Sequence, residues 1–384
     1  MHELVITCGF VLFGMFFGAG NLVFSLKIGQ ATAGNWIPGF LGLILSDVVL
    51  SFFGLFFVIK RHNGNSAEFF GEVGTFAKIA LPFLALSLLG PFGVAPRCIA
   101  VAYGGMRHLI PELPLWAFSA MFCAAAFFIG LSGQRVVNVI GKCMAPILLA
   151  SMGILFVSGA MHPHELEYPL SPMESLREGF VTGYQTMDLL LAFFAATLIF
   201  SQIRESLPSN ISKKDATKIA IKSSIFASIL LALVYFCMVF LGSHFAFLLR
   251  ETQPSAILVT IANHLAGNYA ALFIAVIMTL ACFTSVAPLN AMYTKYMHSL
   301  LKLRDDRFGT VLLGTTVASF SISLFDFGGI VGFLAPALEA LYPSIVVLTA
   351  ASIFIKKRYT LKKILFYGVL GIVLLRSIFH SFQF

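Results

Sequence analysis

Eleven stretches of this chain carry apolar side chains almost without interruption. They cover residues 4–26, 36–59, 77–105, 114–133, 136–161, 180–203, 216–242, 269–298, 308–326, 328–355 and 361–382. Each is close to the roughly 20 residues that a helix needs to cross a bilayer. Polar residues collect between the runs, in short connections except at 162–179 and 243–268, which are long enough for a short surface helix each. No linker, low-complexity tract or soluble domain intervenes. The pattern predicts a single all-α polytopic membrane domain over residues 1–384, with about 11 transmembrane helices.

Two runs are interrupted. The first holds Gly14, Gly18, Gly20 and Asn21 near its middle. In lipid every backbone polar group must be satisfied internally, and a glycine costs roughly 1 kcal/mol against alanine inside a helix. One reading is a helix broken at Gly18 to Gly20, its freed amides and carbonyls facing a cavity. The other is a packing face, since Gly14 and Gly18 make G-x-x-x-G. Asn21 favours the break, because an amide at that depth needs a polar partner. Run six opens with Phe180-Val181-Thr182-Gly183-Tyr184-Gln185-Thr186-Met187-Asp188, which is also interrupted. Broken helices at matching positions of two halves point to a transporter site. Spaced five runs apart, they predict an inverted repeat: a first unit of about 4–161, a second of about 180–355 and an extra helix at about 361–382.

The basic residues orient the chain. Of 25 lysines and arginines, nineteen fall on one side of the predicted spans, five on the other, and Arg97 lies within run three. The positive-inside rule then puts the N-terminus in the cytoplasm of a cell membrane and the C-terminus outside. Only 11% of residues are charged and 59% are hydrophobic, where a water-soluble domain carries about 25% charge. The net charge of +8 sits in short loops and does not indicate nucleic acid. All six cysteines lie in apolar runs with no C-x-x-C pair, so neither a disulfide framework nor a zinc site is indicated. The first run lacks a basic leader and is about a full span long, unlike a signal peptide.

Several residues are candidates for chemistry. In run eight, Ala281, Thr284 and Ser285 share a helix face. Two hydroxyls and a carbonyl suit a sodium ion, although hydroxyls in helices also bond back to the preceding turn. Arg97 follows Gly90-Pro91-Phe92-Gly93-Val94-Ala95-Pro96. An arginine this deep is costly and normally paired. The acids within spans are Asp47, Asp188 and Glu339, with Asp188 the expected partner, in a structural or gating role more than in substrate contact. His162-Pro163-His164 reads as a loop ahead of a metal pair. No enzyme constellation is present: the sequence has no G-x-S-x-G, H-E-x-x-H or P-loop. A sensor would call for an output domain and a channel for a continuous polar stripe. Polar residues confined to two breaks suit alternating access.

Phe17-Gly18-Ala19-Gly20-Asn21, Gly90 to Arg97, Gly179 to Asp188, Ala281-Cys282 with the hydroxyls after it, and Leu341-Tyr342-Pro343 together resemble the branched-chain amino acid:cation symporters, the LIVCS or BrnQ type. The resemblance implies a LeuT-like five-plus-five inverted repeat with helices one and six broken. It also implies sodium-coupled uptake of leucine, isoleucine and valine, some members using protons, with no cofactor beyond the coupling ion. On these positions the amides of Gly18, Ala19 and Gly20 would hold a carboxylate, and carbonyls of Gly183, Tyr184 and Gln185 the ammonium. The carbonyls of Gly14, Phe17 and Ala281, with Thr284 and Ser285, would hold sodium, and Asn21 would serve a second cation. The chain departs from the family in three ways. Ser25-Leu26 stand where two prolines are usual, eleven spans stand for twelve, and Glu339 replaces a small neutral residue.

Overall fold

The computed structural model describes residues 2–162, 164, 166–206, 212–250, 252, 256–325, 327–355 and 358–381. Those residues are helical along most of their length and form no strand. Run one is two helices, α1 (His2–Phe16) and α2 (Ala19–Thr32), parted at Phe17-Gly18. Gly18 is extended there, with φ −104° and ψ −166°. Run two is α3 (Trp36–Leu43) and α4 (Leu50–His62), joined through a π-helical turn at Ile44–Val49 that contains Asp47. The short α5 (Ser66–Gly71) follows.

Run three was expected as one helix. It is instead α6 (Ala77–Leu89) and α7 (Val94–Leu109), because Gly90 and Gly93 let the chain turn before Arg97. Next come α8 (Leu115–Gly130), α9 (Gly133–Val136), a π-helical Val137–Met144 and α10 (Ala145–Ala160). Run six is α11 (Pro172–Gly183), a tight turn at Tyr184–Thr186 and α12 (Asp188–Ser206). A Ser171–Glu174 capping box starts α11 inside the loop where a surface helix was expected. The remaining helices are α13 (Lys213–His244), the short α14 (Ile257–Ala266) in the second long connection, α15 (Ala270–Leu300), α16 (Phe308–Ser323), α17 (Phe327–Phe354) and α18 (Tyr359–Ser381).

Among the described residues, six helical stretches are long and apolar enough to cross a membrane, and three shorter helices are apolar. The breaks account for part of the difference from eleven, since they leave pieces such as α1 shorter than a full span. Glycines set the closest crossings. A Cβ on Gly29 would lie 2.1 Å from the Val239 carbonyl, and one on Gly242 2.2 Å from that of Leu26, so α2 and α13 touch backbone to backbone. Gly42 and Gly179 bring α3 against α11 in the same way, a Cβ on Gly42 falling 2.2 Å from the Leu176 carbonyl and one on Gly179 1.9 Å from that of Gly39. These contacts hold the flanks of both breaks in place.

Candidate functional site

The breaks of runs one, three and six meet around a small cavity. Its walls are Met15, Phe16, Gly18, Ala19, Gly20, Asn21, Leu89, Val94, Arg97, Thr186, Met187, Asp188, Leu191, Ser285 and Leu289. The free volume, about 10 Å³, is close to that of one water, so anything larger enters only when the walls separate. Met187 turns the chain at the second break with φ +70°, a left-handed conformation uncommon outside glycine. That turn aims Thr186 and Asp188 inward.

The expected residues distribute unevenly. Gly18, Ala19, Gly20 and Asn21 line the cavity as read from the sequence. Gly183, Tyr184 and Gln185 do not, and Thr186, Met187 and Asp188 take that wall instead. The carbonyl of Gly183 lies 2.7 Å from the Thr186 hydroxyl, and that of Tyr184 accepts from the Met187 amide at 3.3 Å. The Gln185 carbonyl accepts from Arg97 Nη1 at 3.4 Å. Among the described residues Phe16 is the aromatic side chain that lines the cavity, while Phe13 and Phe17 stack on each other with centroids 5.7 Å apart.

A buried polar network closes one side. Asn21 Nδ2 donates to Asp188 Oδ2 at 2.6 Å and also to the Tyr235 hydroxyl. Thr186 Oγ1 donates to Asp47 Oδ1 at 2.7 Å. Asp47 and Asp188, unlinked in the sequence, thus share one cluster. Arg97 is 2% exposed and lines the cavity. The expected Arg97–Asp188 ion pair does not form among the described residues. Asp188 bonds Asn21, and Arg97 Nε and Nη2 have no hydrogen-bond partner there. The side chain of Glu339 lies outside the described residues.

The two hydroxyls of α15 part ways. Thr284 Oγ1 bonds back to the Ala281 carbonyl at 3.0 Å. Ser285 Oγ reaches across to α1, 3.1 Å from the Met15 carbonyl and 3.3 Å from that of Gly14, and stays 3.4 Å from that of Ala281. Gly14, Ala281 and Ser285 therefore converge as expected, with Met15 an addition that no sequence signal marked. No polar contact joins Phe17 to α15 among the described residues. Three carbonyls around one hydroxyl form an oxygen-rich point between a broken helix and its neighbour, which is chemistry for a small hard cation.

The fold is LeuT-like. It is similar to the solved closed conformation of Mhp1, a nucleobase-cation-symport-1 family transporter, at 14% identity and TM-score 0.59, covering 97% of this chain and 90% of that one. It is also similar to a substrate-bound, outward-open Na⁺-coupled sialic acid symporter, at 11% identity and TM-score 0.63, covering 96% and 88%. The branched-chain amino acid permease BraB of Bacillus subtilis is 27% identical over 369 residues, 92% of this chain and 80% of its own. A family model described as branched-chain amino acid transport protein matches residues 1–384. With that match over its whole length, and with helices one and six broken around a shared cavity, this chain belongs to the branched-chain amino acid transport protein family and is a transporter, not an enzyme.

Proposed function

We infer that the protein is a secondary active symporter that imports leucine, isoleucine and valine by alternating access, coupled to a sodium gradient, with its N-terminus in the cytoplasm. The observation that carries the substrate class is the cavity itself. Met15, Phe16, Leu89, Val94, Met187, Leu191 and Leu289 wall it with apolar surface, and its polar side chains are Asn21, Thr186 and Asp188 at the two main breaks with Arg97 and Ser285 beside them. An aliphatic amino acid presents the matching division, an apolar side chain and a charged main-chain end. The first turn of α2 leaves backbone N–H groups without helical partners, which favours the carboxylate there. Sodium is supported by the oxygens of Gly14, Met15, Ala281 and Ser285. A second reading, proton coupling, is favoured by the buried Asp47–Thr186–Asn21–Asp188 network beside the cavity.

Isoleucine uptake into vesicles separates the readings, measured with a sodium gradient, with choline in its place and with an imposed pH step. Sodium-driven uptake blocked by excess leucine or valine, and not by glutamate, is the expected outcome. Uptake driven only by the pH step moves the coupling to protons. Equal uptake in all three conditions ends the coupling reading, and equal competition by lysine or glutamate ends the substrate reading.

A further inference from the structure

The geometry points to Arg97 as the receptor of the substrate's carboxylate, its guanidinium standing at the N-terminus of α2 and presenting unpartnered nitrogens to the cavity. This rests on the reading of the cavity as an amino-acid site and names the group within it that recognises the acid. The free amides in the first turn of α2 are joined there by a charged group, and the amide of Gly18 is not among them. Gly18 N–H donates to the Phe16 carbonyl at 2.9 Å. Gly20, within that first turn, stands directly against the arginine: a Cβ on Gly20 would fall 2.6 Å from Arg97 Nη2. Glycine at this position makes room for a guanidinium rather than for a bare backbone contact.

Arg97 is held so that its fork is fixed. Nη1 donates to the Gln185 carbonyl at 3.4 Å, and the guanidinium lies over the Phe24 ring, 5.7 Å from its centroid. Nε and Nη2, buried, have no hydrogen-bond partner among the described residues. A charged group within a membrane protein is costly and normally paired, and a carboxylate is the bidentate complement of such a fork. Asp188, which lines the same cavity, is bonded by Asn21 on another edge and suits the ammonium. The site therefore takes molecules with one carboxylate and one ammonium close together.

The test compares each amino acid with its carboxamide, which keeps the ammonium and side chain and loses the anion. Binding is measured on purified protein in lipid nanodiscs, first as a screen of the common amino acids on the wild type. The best binder and its carboxamide are then compared on the wild type, Arg97→Lys, Arg97→Gln and Gly20→Ala. The wild type should prefer the acid roughly 10- to 100-fold, the range of a charge-assisted pair. Arg97→Gln should bring the two ligands within about threefold of each other, Arg97→Lys should fall between, and Gly20→Ala should erode the preference by displacing Nη2. An affinity ratio does not move when a variant merely loses active protein. Should Arg97→Gln fail to fold, the wild type and Gly20→Ala still decide.

A wild type that binds acid and carboxamide equally overturns the assignment, and so does an Arg97→Gln protein that keeps the wild-type ratio. If the best binder is not a branched-chain amino acid yet its ratio collapses in Arg97→Gln, the substrate reading falls and the role of Arg97 stands. A wild type that binds none of the amino acids overturns both.

Discussion

Adjacent hydroxyls on α15 face different partners, and that difference is testable. Ser285 Oγ spans the gap to the Gly14 and Met15 carbonyls, whereas Thr284 Oγ1 is satisfied within its own helix. Ser285→Ala should raise the sodium concentration for half-maximal isoleucine uptake by roughly 5- to 10-fold, the worth of one hydrogen-bonding ligand of about 1–1.5 kcal/mol. Thr284→Ala should leave it nearly unchanged. Equal shifts from both would mean that the cation does not sit where these carbonyls converge. The spacing of Ala281, Thr284 and Ser285 marked this face in the sequence. Which hydroxyl crosses to α1 depends on the rotation of α15 about its axis, and spacing alone does not set it.

At the scale of elements, the broken helices stay in register because their flanks are pinned by glycine crossings. The α2–α13 contact leaves no room for a side chain at Gly29 or Gly242. Gly242→Leu should therefore force the helices apart, cost at least ~1–3 kcal/mol as an overpacked contact, and lower the yield of monodisperse protein on size-exclusion chromatography. Gly368→Leu is the control, since a Cβ there meets nothing within 4 Å. If both variants behave alike, the crossing is not what positions α2. The glycines that mark the breaks and those that mark the crossings look the same in the sequence. Gly18 is extended at a helix end, and Gly242 is an ordinary helical residue made necessary by a neighbour.

At the scale of the whole molecule, a buried ion pair ties α18 to the turn that ends α5. Lys362, counted from the sequence only as an inside charge, is fully buried and donates to Glu72 Oε2 at 2.6 Å. Ser352 of α17 donates to the same oxygen at 2.7 Å, and His62 Nε2 lies 3.4 Å from Glu72 Oε1. Burial pushes the Glu72 carboxyl up, but His62, Lys362 and Ser352 outweigh it and hold the group at about 2, below its ordinary 4.5. A carboxyl held low contributes stability in full above its unfolded value and loses it as pH falls toward the folded one. Glu72→Gln leaves Lys362 buried without its charge partner, which should cost about 3–5 kcal/mol near neutral pH. The difference in melting temperature between wild type and Glu72→Gln should shrink as pH drops from about 4.5 toward 2. A difference that is constant across that window would remove Glu72 as the source.

The sequence by itself determined the all-α membrane class, the breaks in runs one and six, and the wall formed by Gly18 to Asn21. These are local properties: hydropathy acts through windows of about 20 residues, and glycine and asparagine disturb a helix where they stand. Run three shows how narrow the margin is, since its hydropathy predicts a continuous helix although Gly90 and Gly93 part it into α6 and α7. The tertiary structure decided the rest. Asn21 meets Asp188 across 167 residues of chain, Ser285 meets Gly14 across 271, and Lys362 meets Glu72 across 290. Such pairings are fixed by how each helix is rotated and how closely its neighbours approach. That is why the obvious acid for Arg97 is bonded to another residue, and why the arginine is left facing the cavity.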